Sequence, residues 1–164
     1  MGYTTEFNGQ FNTDKPIAEH HAAYINKFAR TRRVKRSSAK AEKLKDTERK
    51  AVELPIGKQG EYFVGGLGDF GQGDDNSIMD GNCPPESQPG LWCQWMVSED
   101  EGEADVIKWD EGEKFYNYVE WLTYIIENFL KPWGYVLNGD VEYRGEEWGD
   151  TGIISVKDNV VESD

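Results

Sequence analysis

An amphipathic segment at residues 113–130 constrains the fold more than any other feature of this sequence. Its apolar residues recur three or four positions apart, as on one face of an α-helix. They are Phe115, Tyr118, Val119, Leu122, Ile125, Ile126, Phe129 and Leu130. Asp110 and Glu113 have the spacing of a capping box, and Pro132 ends the helix because proline cannot continue the backbone hydrogen bonding. A helix with so broad an apolar face needs another layer to cover it.

Alternation of apolar and polar residues with a period of two predicts strands to supply that layer. The segments with this pattern or with strand-forming residues are 3–11, 61–64, 91–97, 104–109, 135–144 and 153–157. An N-terminal helix is predicted from Pro16 to about Ala29. We therefore expect one α+β domain over residues 1–164. It would have a mostly antiparallel sheet of about six strands, packed by the 113–130 helix and the N-terminal helix.

Charge is distributed very unevenly along the chain, whose net charge is −13. From Lys27 to Lys50 there are 11 basic and 3 acidic residues, a balance of +8, and the rest of the chain has 7 basic and 28 acidic residues, a balance of −21. The basic part is a predicted basic helical arm at about 30–52. Within it, residues 39–52 are rich in helix-forming residues but have little apolar surface, and we expect them to form a helix that is loosely attached or faces solvent.

The basic arm has three interpretations. Its densest part contains Arg30, Arg32, Arg33, Lys35 and Arg36, which suits contacts with nucleic-acid phosphates. The absence of interleaved aromatic residues and the acidity of the remaining chain argue against that role. The arm could instead fold onto the protein's own acidic surface, or dock on an acidic protein partner, and the sequence leaves all three open.

Acidic residues are most concentrated in two predicted turns between strands, at 98–103 and 145–150. The candidate partner-binding residues there are Glu99, Asp100, Glu101, Glu103, Glu146, Glu147, Trp148 and Asp150. Trp148 suits an interface anchor, since Trp is enriched at binding hot spots. It could equally fold back over the edge of the sheet.

The Gly- and Pro-rich segment 65–90 is a predicted long loop, of a length that is uncommon unless the loop is functional or mobile. Residues 66–71 match the spacing of a dinucleotide-binding fingerprint, but no helix start follows, and Asp69, Asp74 and Asp75 would repel phosphate. The loop carboxylates suit Ca²⁺ or Mg²⁺ but do not follow an EF-hand pattern. We predict no metal site, no cofactor and no catalytic residue, and keep an enzyme with an unrecognised site in this loop as an alternative.

Other chemistry-bearing residues are few. The adjacent His20 and His21 would point about 100° apart on a helix. Together with Cys83 and Cys93 they lack the spacing of a zinc site. Two cysteines make no disulfide framework, no apolar run approaches the ~20 residues of a membrane span, and the first residues lack a signal-peptide pattern. We expect a protein of the cytoplasm, not of the membrane, with reduced thiols.

Five segments carry a resemblance to a known family: 82–85 (NCPP), 88–95 (QPGLWCQW), 113–122 (EKFYNYVEWL), 131–139 (KPWGYVLNG) and 156–161 (VKDNVV). Together they resemble a family of small uncharacterised proteins encoded by bacteriophages, prophages and some bacteria. The resemblance extends over nearly the whole chain and transfers no site residues. It implies the cytoplasm of an infected or lysogenic bacterial host, where small phage accessory proteins often bind host proteins or counter host defences.

These observations lead to a functional hypothesis with two alternatives. We expect a phage-type accessory protein, not an enzyme, that binds a host macromolecule through charged surfaces. Its acidic body could inhibit a host nucleic-acid-binding or defence protein by opposing it as a phosphate backbone would. The alternatives are a nucleic-acid-binding protein that uses residues 30–50, and the enzyme with a site in the 65–90 loop.

Overall fold

The computed structural model describes residues 2–164 and shows an α+β fold. In chain order the helices and strands are β1 (Glu6–Thr13), α1 (Glu19–Ala29), β2 (Lys35–Arg36), α2 (Ser38–Ala41), α3 (Thr47–Ala51), β3 (Ile78–Asp80), β4 (Trp95–Val97), β5 (Val106–Trp109), α4 (Tyr118–Ile125), β6 (Leu137–Arg144), β7 (Thr151–Lys157) and β8 (Val160–Ser163). Among residues 2–164, none of the helices has both the length and the apolar character that crossing a bilayer requires.

The chain forms two compact units. The sheet unit contains the residues up to Ala18 together with Gln94–Asp164, and the arm unit contains Glu19–Cys93. A domain in the thermodynamic sense unfolds cooperatively. The single domain over residues 1–164 stays a prediction, for which one cooperative unfolding transition is the expected result.

The sheet unit is built on six strands in the order β4-β5-β1-β6-β7-β8, and every neighbouring pair is antiparallel. The predicted mostly antiparallel sheet of six strands is therefore confirmed, although its membership differs. Residues 61–64 form no strand, and Val160–Ser163 supplies the sixth. In β6 the predicted alternation is visible, since Leu137 and Val141 are buried while Asp140 and Glu142 are exposed.

The helix of the sheet unit begins later than the sequence predicts. Asn117 has left-handed backbone angles (φ 57°, ψ 40°), and α4 starts at the next residue. The predicted capping box is wrong, because the Asp110 carboxylate accepts a hydrogen bond from the Gly112 N–H (2.8 Å) in a local turn. After Ile125 the helix continues as a π-helical segment, Ile126–Leu130. The helical region therefore covers 118–130 rather than 113–130.

The apolar face of this helical region is deeply buried. Trp121, Leu122, Ile125, Phe129 and Leu130 have essentially no exposed surface. Burying one such side chain stabilises the fold by about 1.5–3 kcal/mol. This face accounts for much of the core of the sheet unit.

Aromatic rings fill another part of that core. The ring of Phe7 lies between those of Trp95, Trp109, Phe115 and Tyr118, at centroid distances of 4.9 to 5.7 Å and with edge-to-face geometry throughout. Such pairs contribute about 0.5–1.5 kcal/mol each beyond the burial of their area. The sheet unit is thus stabilised mainly by uncharged groups.

In the arm unit, the basic segment differs from the expected helical arm. It forms two short helices, α2 and α3, instead of one continuous helix. The break occurs where Asp46 has non-helical angles (φ −150°, ψ 64°) and turns its carboxylate inward, so that the Val64 N–H (3.1 Å) and the Arg49 guanidinium (2.5 Å) donate hydrogen bonds to it. An inward carboxylate with these partners competes with the helical backbone conformation at this position.

The predicted strand at 61–64 is wrong. A 3₁₀ turn, Lys58–Gly60, precedes it, and Gln59 there has a positive φ of 56°. Phe63 and Val64 are both buried although they are neighbours in sequence, whereas a half-buried strand alternates. The long loop that follows contains a second 3₁₀ turn, Asp69–Gly71, and strand β3, which pairs with β2.

Candidate functional site

The two units differ sharply in charge. The sheet unit has 6 basic and 20 acidic residues, a net charge of −14, whereas the arm unit has 12 basic and 11 acidic residues, a net charge of +1. The acidic character of the protein therefore belongs to the sheet unit. Both acidic turns named above lie in it.

The turn at 98–103 connects β4 to β5 and carries internal ion pairs. The ammonium of Lys108 lies 3.1 Å from the Asp100 carboxylate and 3.5 Å from that of Glu103. The hydrogen bond from Lys108 to Asp100 raises the pKa of the lysine. The Ser98 hydroxyl donates a further hydrogen bond to Glu103 (2.6 Å). The carboxylates of Asp100 and Glu103 thus have protein partners, while Glu101 is exposed to solvent.

The turn at 145–150 connects β6 to β7 and is held by the N-terminal segment. The Tyr3 hydroxyl donates to the Asp150 carboxylate (2.5 Å) and accepts from the Glu147 N–H (3.0 Å). The Thr4 N–H donates to the Glu146 carboxylate (3.0 Å). The hydrogen bond to Asp150 raises the pKa of Tyr3. This clamp fixes the backbone of the turn, and no sequence pattern indicated it, because Tyr3 and Asp150 are far apart in the chain.

At the tip of the 145–150 turn, Trp148 is fully exposed, with a relative accessibility of 102%. It does not fold back over the sheet edge, which was one of the two possibilities left open by the sequence. Glu146 and Glu147 beside it are also exposed. A large, rigid aromatic side chain wholly in water and flanked by carboxylates is uncommon on a protein surface, where such groups are usually covered.

Next to this turn the solvent-facing side of the sheet forms an open concavity of about 890 Å³, here called the sheet groove. Its lining residues include the acidic Glu6, Glu142 and Asp164, the basic Arg144 and the apolar Ile153. A smaller depression, lined by Thr4, Glu6, Arg144, Gly145 and Glu146, shares two of these residues and continues to the 145–150 turn. The outward-facing alternation of β6 could have indicated this surface from the sequence.

The structure does not bring the two acidic turns together. Strand β1 pairs through Asn12 with Val106, beside the 98–103 turn, and through Glu6 with Arg144, beside the 145–150 turn. Six residues of extended strand separate these positions, which is about 20 Å. The predicted set of eight binding residues therefore divides into two surfaces at opposite ends of the sheet.

The basic residues of the arm are not equally available to a partner. Arg33 is buried, donates to the Glu61 carbonyl (2.8 Å) and lies over the Phe28 ring (4.2 Å). Arg36 is buried as well and pairs with Asp75 (2.7 Å). Two of the five candidate arginines and lysines are thus structural, and their buried guanidinium groups are not available to a partner.

The remaining three residues of that set reach the surface to different degrees. Arg30 is exposed, and Arg32 is half-buried and donates to the Gly81 carbonyl (3.2 Å). Lys35 is also half-buried. Further along the arm, four lysines are exposed, namely Lys40, Lys43, Lys45 and Lys50. The arm therefore keeps a cationic surface, but a sparser one than the sequence suggests.

The thiols, histidines and loop acids are the remaining residue types with metal-binding or nucleophilic chemistry. In the part of the chain that the structure describes, no three His, Cys, Asp or Glu side chains cluster closely enough to hold a metal. Cys93 is buried, and Cys83 is exposed with its pKa raised by a hydrogen bond to Asp80. A raised pKa disfavours the nucleophilic thiolate.

Comparison of the chain with models of known protein families, with curated proteins and with solved structures gave no match.

Proposed function

We propose that this chain is a phage-type accessory protein, acting by binding and not by catalysis, which attaches its acidic sheet unit to a basic surface of a host protein in the bacterial cytoplasm. By covering a surface that otherwise contacts nucleic acid, it would inhibit a host nucleic-acid-binding or defence protein. The observation that carries this proposal is the fully exposed Trp148 on an acidic turn whose backbone is already fixed.

The charge of the sheet unit supports a basic partner. A net charge of −14 attracts cationic surfaces over distances of the order of a Debye length, about 8–10 Å at cellular ionic strength, and accelerates association. The same charge disfavours nucleic acid as the ligand of this unit. Electrostatic complementarity of this kind contributes mainly to specificity and association rate.

Trp148 would supply the short-range part of the affinity. Interface hot spots are enriched in Trp, and burying this side chain removes a large apolar area from water. The hydrogen bonds from Tyr3 and Thr4 keep the turn in one conformation before binding. A preorganised turn loses less conformational entropy on binding, which favours affinity.

Affinity capture from host lysate, with and without nuclease treatment, would identify the partner, and titration with the purified partner would then test the site. We expect Trp148→Ala to weaken binding by about 2 kcal/mol or more, roughly 30-fold. Replacing Glu146 and Glu147 by Gln should weaken it less and reduce its salt dependence. A nuclease-sensitive association that Trp148→Ala leaves unchanged would contradict the proposal.

The 98–103 turn offers a matched control. Replacing Glu99 and Glu101 by Gln removes the same charge about 20 Å away. If the 145–150 turn is the contact, this control should change the affinity only through the long-range field. Equal losses from both pairs would mean that the net charge, and not the turn, determines binding.

A second candidate function rests on the exposed cations of the arm unit, which could contact nucleic-acid phosphates. The appropriate variant replaces Arg30, Lys40, Lys43, Lys45 and Lys50 by Gln, because neutralising the buried Arg33 or Arg36 would also damage the fold. Retention of the wild-type protein on DNA or RNA at low salt, lost in this variant, would support the candidate. No retention of the wild type would exclude it.

A further inference from the structure

The arm unit contains a pocket of about 300 Å³. Lys27, Arg30 and Thr31, at and just beyond the end of α1, form one side, and the glycine-rich loop 66–71 forms the other. Two cationic residues, Lys27 and Arg30, thus share the pocket lining with three glycines of this loop.

The loop presents backbone donors and not acceptors. Among residues 2–164, no hydrogen-bond acceptor meets the N–H groups of residues 66–70. Its carbonyl groups, by contrast, are used internally: that of Leu67 accepts from the Gly73 N–H (2.6 Å) and that of Phe70 accepts from the Arg32 N–H (2.9 Å). Successive free amide groups of this kind are a recurring feature of anion-binding concavities.

Glycine is required at two places for the loop to take this shape. A Cβ atom on Gly66 would lie 2.9 Å from the Cα of Gly71, so the two residues are in contact through their backbones. Gly71 has a positive φ of 66°, and a Cβ there would lie 2.7 Å from the Thr31 methyl group. The glycine spacing noticed in the sequence thus builds a closed loop and not the strand-to-helix turn of a dinucleotide fold.

A buried guanidinium supports the loop. Arg36 is 2% exposed, and its Nη2 is buried without a hydrogen-bond partner. That nitrogen would lie 3.2 Å from a Cβ on Gly66, a residue of the pocket wall. A buried donor without a partner is costly and indicates a site for an acceptor.

The loop acids oppose an anion less than the sequence suggests. Asp75 is paired with Arg36 (2.7 Å) and also accepts hydrogen bonds from Ser77, and Asp74 does not line the pocket. Only Asp69 does. The ammonium of Lys27 forms no ion pair with it or with any other residue in 2–164.

We propose that this pocket binds the phosphate group of a small phosphomonoester. Lys27, Arg30 and the amides of 66–70 would hold the phosphate oxygens, because several donors and two positive charges match a dianion better than a carboxylate. Phe70, which lines the pocket, is 58% exposed and offers an apolar surface to the rest of the ligand. The Phe70 ring is supported by an edge contact with Trp92 (6.2 Å).

Titration calorimetry of the full-length protein with inorganic phosphate, adenosine 5′-monophosphate and adenosine would test this inference. We expect the monophosphate to bind, phosphate alone to bind more weakly, and adenosine not to bind. Lys27→Gln and Arg30→Gln should each weaken binding about tenfold, and Asp69→Asn should strengthen it. Lys40→Gln removes an exposed charge on the same unit outside the pocket; it is the control and should change nothing.

Three results would overturn the inference. The first is that neither phosphate nor the monophosphate binds at about 10 mM. The second is that Lys27→Gln and Arg30→Gln leave the affinity unchanged. The third is that only a short single-stranded oligonucleotide binds, with dependence on the arm lysines, which would indicate a nucleic-acid surface instead. Trp148 does not line this pocket. The Trp148→Ala variant should therefore lose partner binding but keep phosphate binding, so the two proposals can fail separately.

Discussion

The sheet unit and the arm unit use charged residues in opposite ways. In the arm unit, ion pairs are buried: Arg36 with Asp75 and Arg49 with Asp46 have side-chain accessibilities of 7% or less. In the sheet unit they lie at the surface, as with Lys108 and Asp100, whose side chains are 32% and 71% exposed. The core of the sheet unit is aromatic and aliphatic.

This difference indicates which charges are free to serve binding. A buried ion pair is expensive to break, because removing one partner leaves an uncompensated charge in a poorly solvated place. A surface charge can be exchanged at little cost to the fold. The basic arm, the most conspicuous feature of the sequence, is therefore partly a structural device, while the unpaired carboxylates of the sheet unit are available to a partner.

Breaking a buried pair should have the largest effect. We expect Arg36→Ala to lower the free energy of unfolding by about 3–5 kcal/mol, since Asp75 would remain buried without its partner. Lys108→Ala in the sheet unit should cost at most about 1 kcal/mol. Urea unfolding of both variants measures the contrast, and similar losses would mean that the two units do not differ in this way.

A second contrast concerns alkaline pH. Burial of the Tyr118 side chain is the main cause, and the nearby Tyr143 the second, of a rise in the pKa of Tyr118 to about 12. Because the pKa is higher in the folded than in the unfolded state, this contribution to stability is complete below pH of about 10 and is lost as the pH rises towards 12. We expect a loss of about 1–2 kcal/mol after allowing for partial solvent access.

The alkaline effect is measured by urea unfolding between neutral pH and the tyrosine range, together with the ultraviolet absorbance of tyrosinate. Tyr118→Phe is the matched control and should show a smaller alkaline decline. If both proteins lose stability equally, burial of this hydroxyl does not account for the decline.

The clamp on the 145–150 turn should give the smallest change in stability. Tyr3→Phe removes the hydrogen bonds to Asp150 and Glu147 and should cost about 1 kcal/mol. Its clearer consequence is faster hydrogen exchange of the Glu147 amide, since the turn loses its support. Unchanged exchange there would show that the turn is held by its own backbone.

The sequence predicted the sheet better than the arm, for a physical reason. In β4 and β6, side-chain alternation reflects burial directly, so these strands could be anticipated. In residues 30–64 the fold depends on long-range partners of charged groups, such as Asp46 with the Val64 N–H, which leave no periodic signal. Propensity alone therefore predicted a helical arm where Asp46 interrupts it.

The candidate sites show the same limit. The two acidic turns were identified from composition, but their separation along β1 depends on strand order. The clamp of Tyr3 on Asp150 depends on a contact between residues that are far apart in the chain. The exposure of Trp148 was one of two open possibilities. For the pocket at 66–71, the glycine spacing was visible, but neutralisation of Asp75 by Arg36 was not.

The central claim is that charge in the sheet unit serves binding and buried charge in the arm unit serves folding. The most direct measurement determines the free energy of unfolding and the affinity for the captured host partner, in the same buffer, for two variants. The double variant Glu146→Gln with Glu147→Gln should weaken partner binding and keep its free energy of unfolding within about 0.5 kcal/mol of the wild type. Arg36→Gln should lower the free energy of unfolding by several kcal/mol. While it remains folded, the Arg36 variant should keep the wild-type affinity. A double Gln variant that binds as the wild type does, or an Arg36 variant as stable as the wild type, would contradict the account.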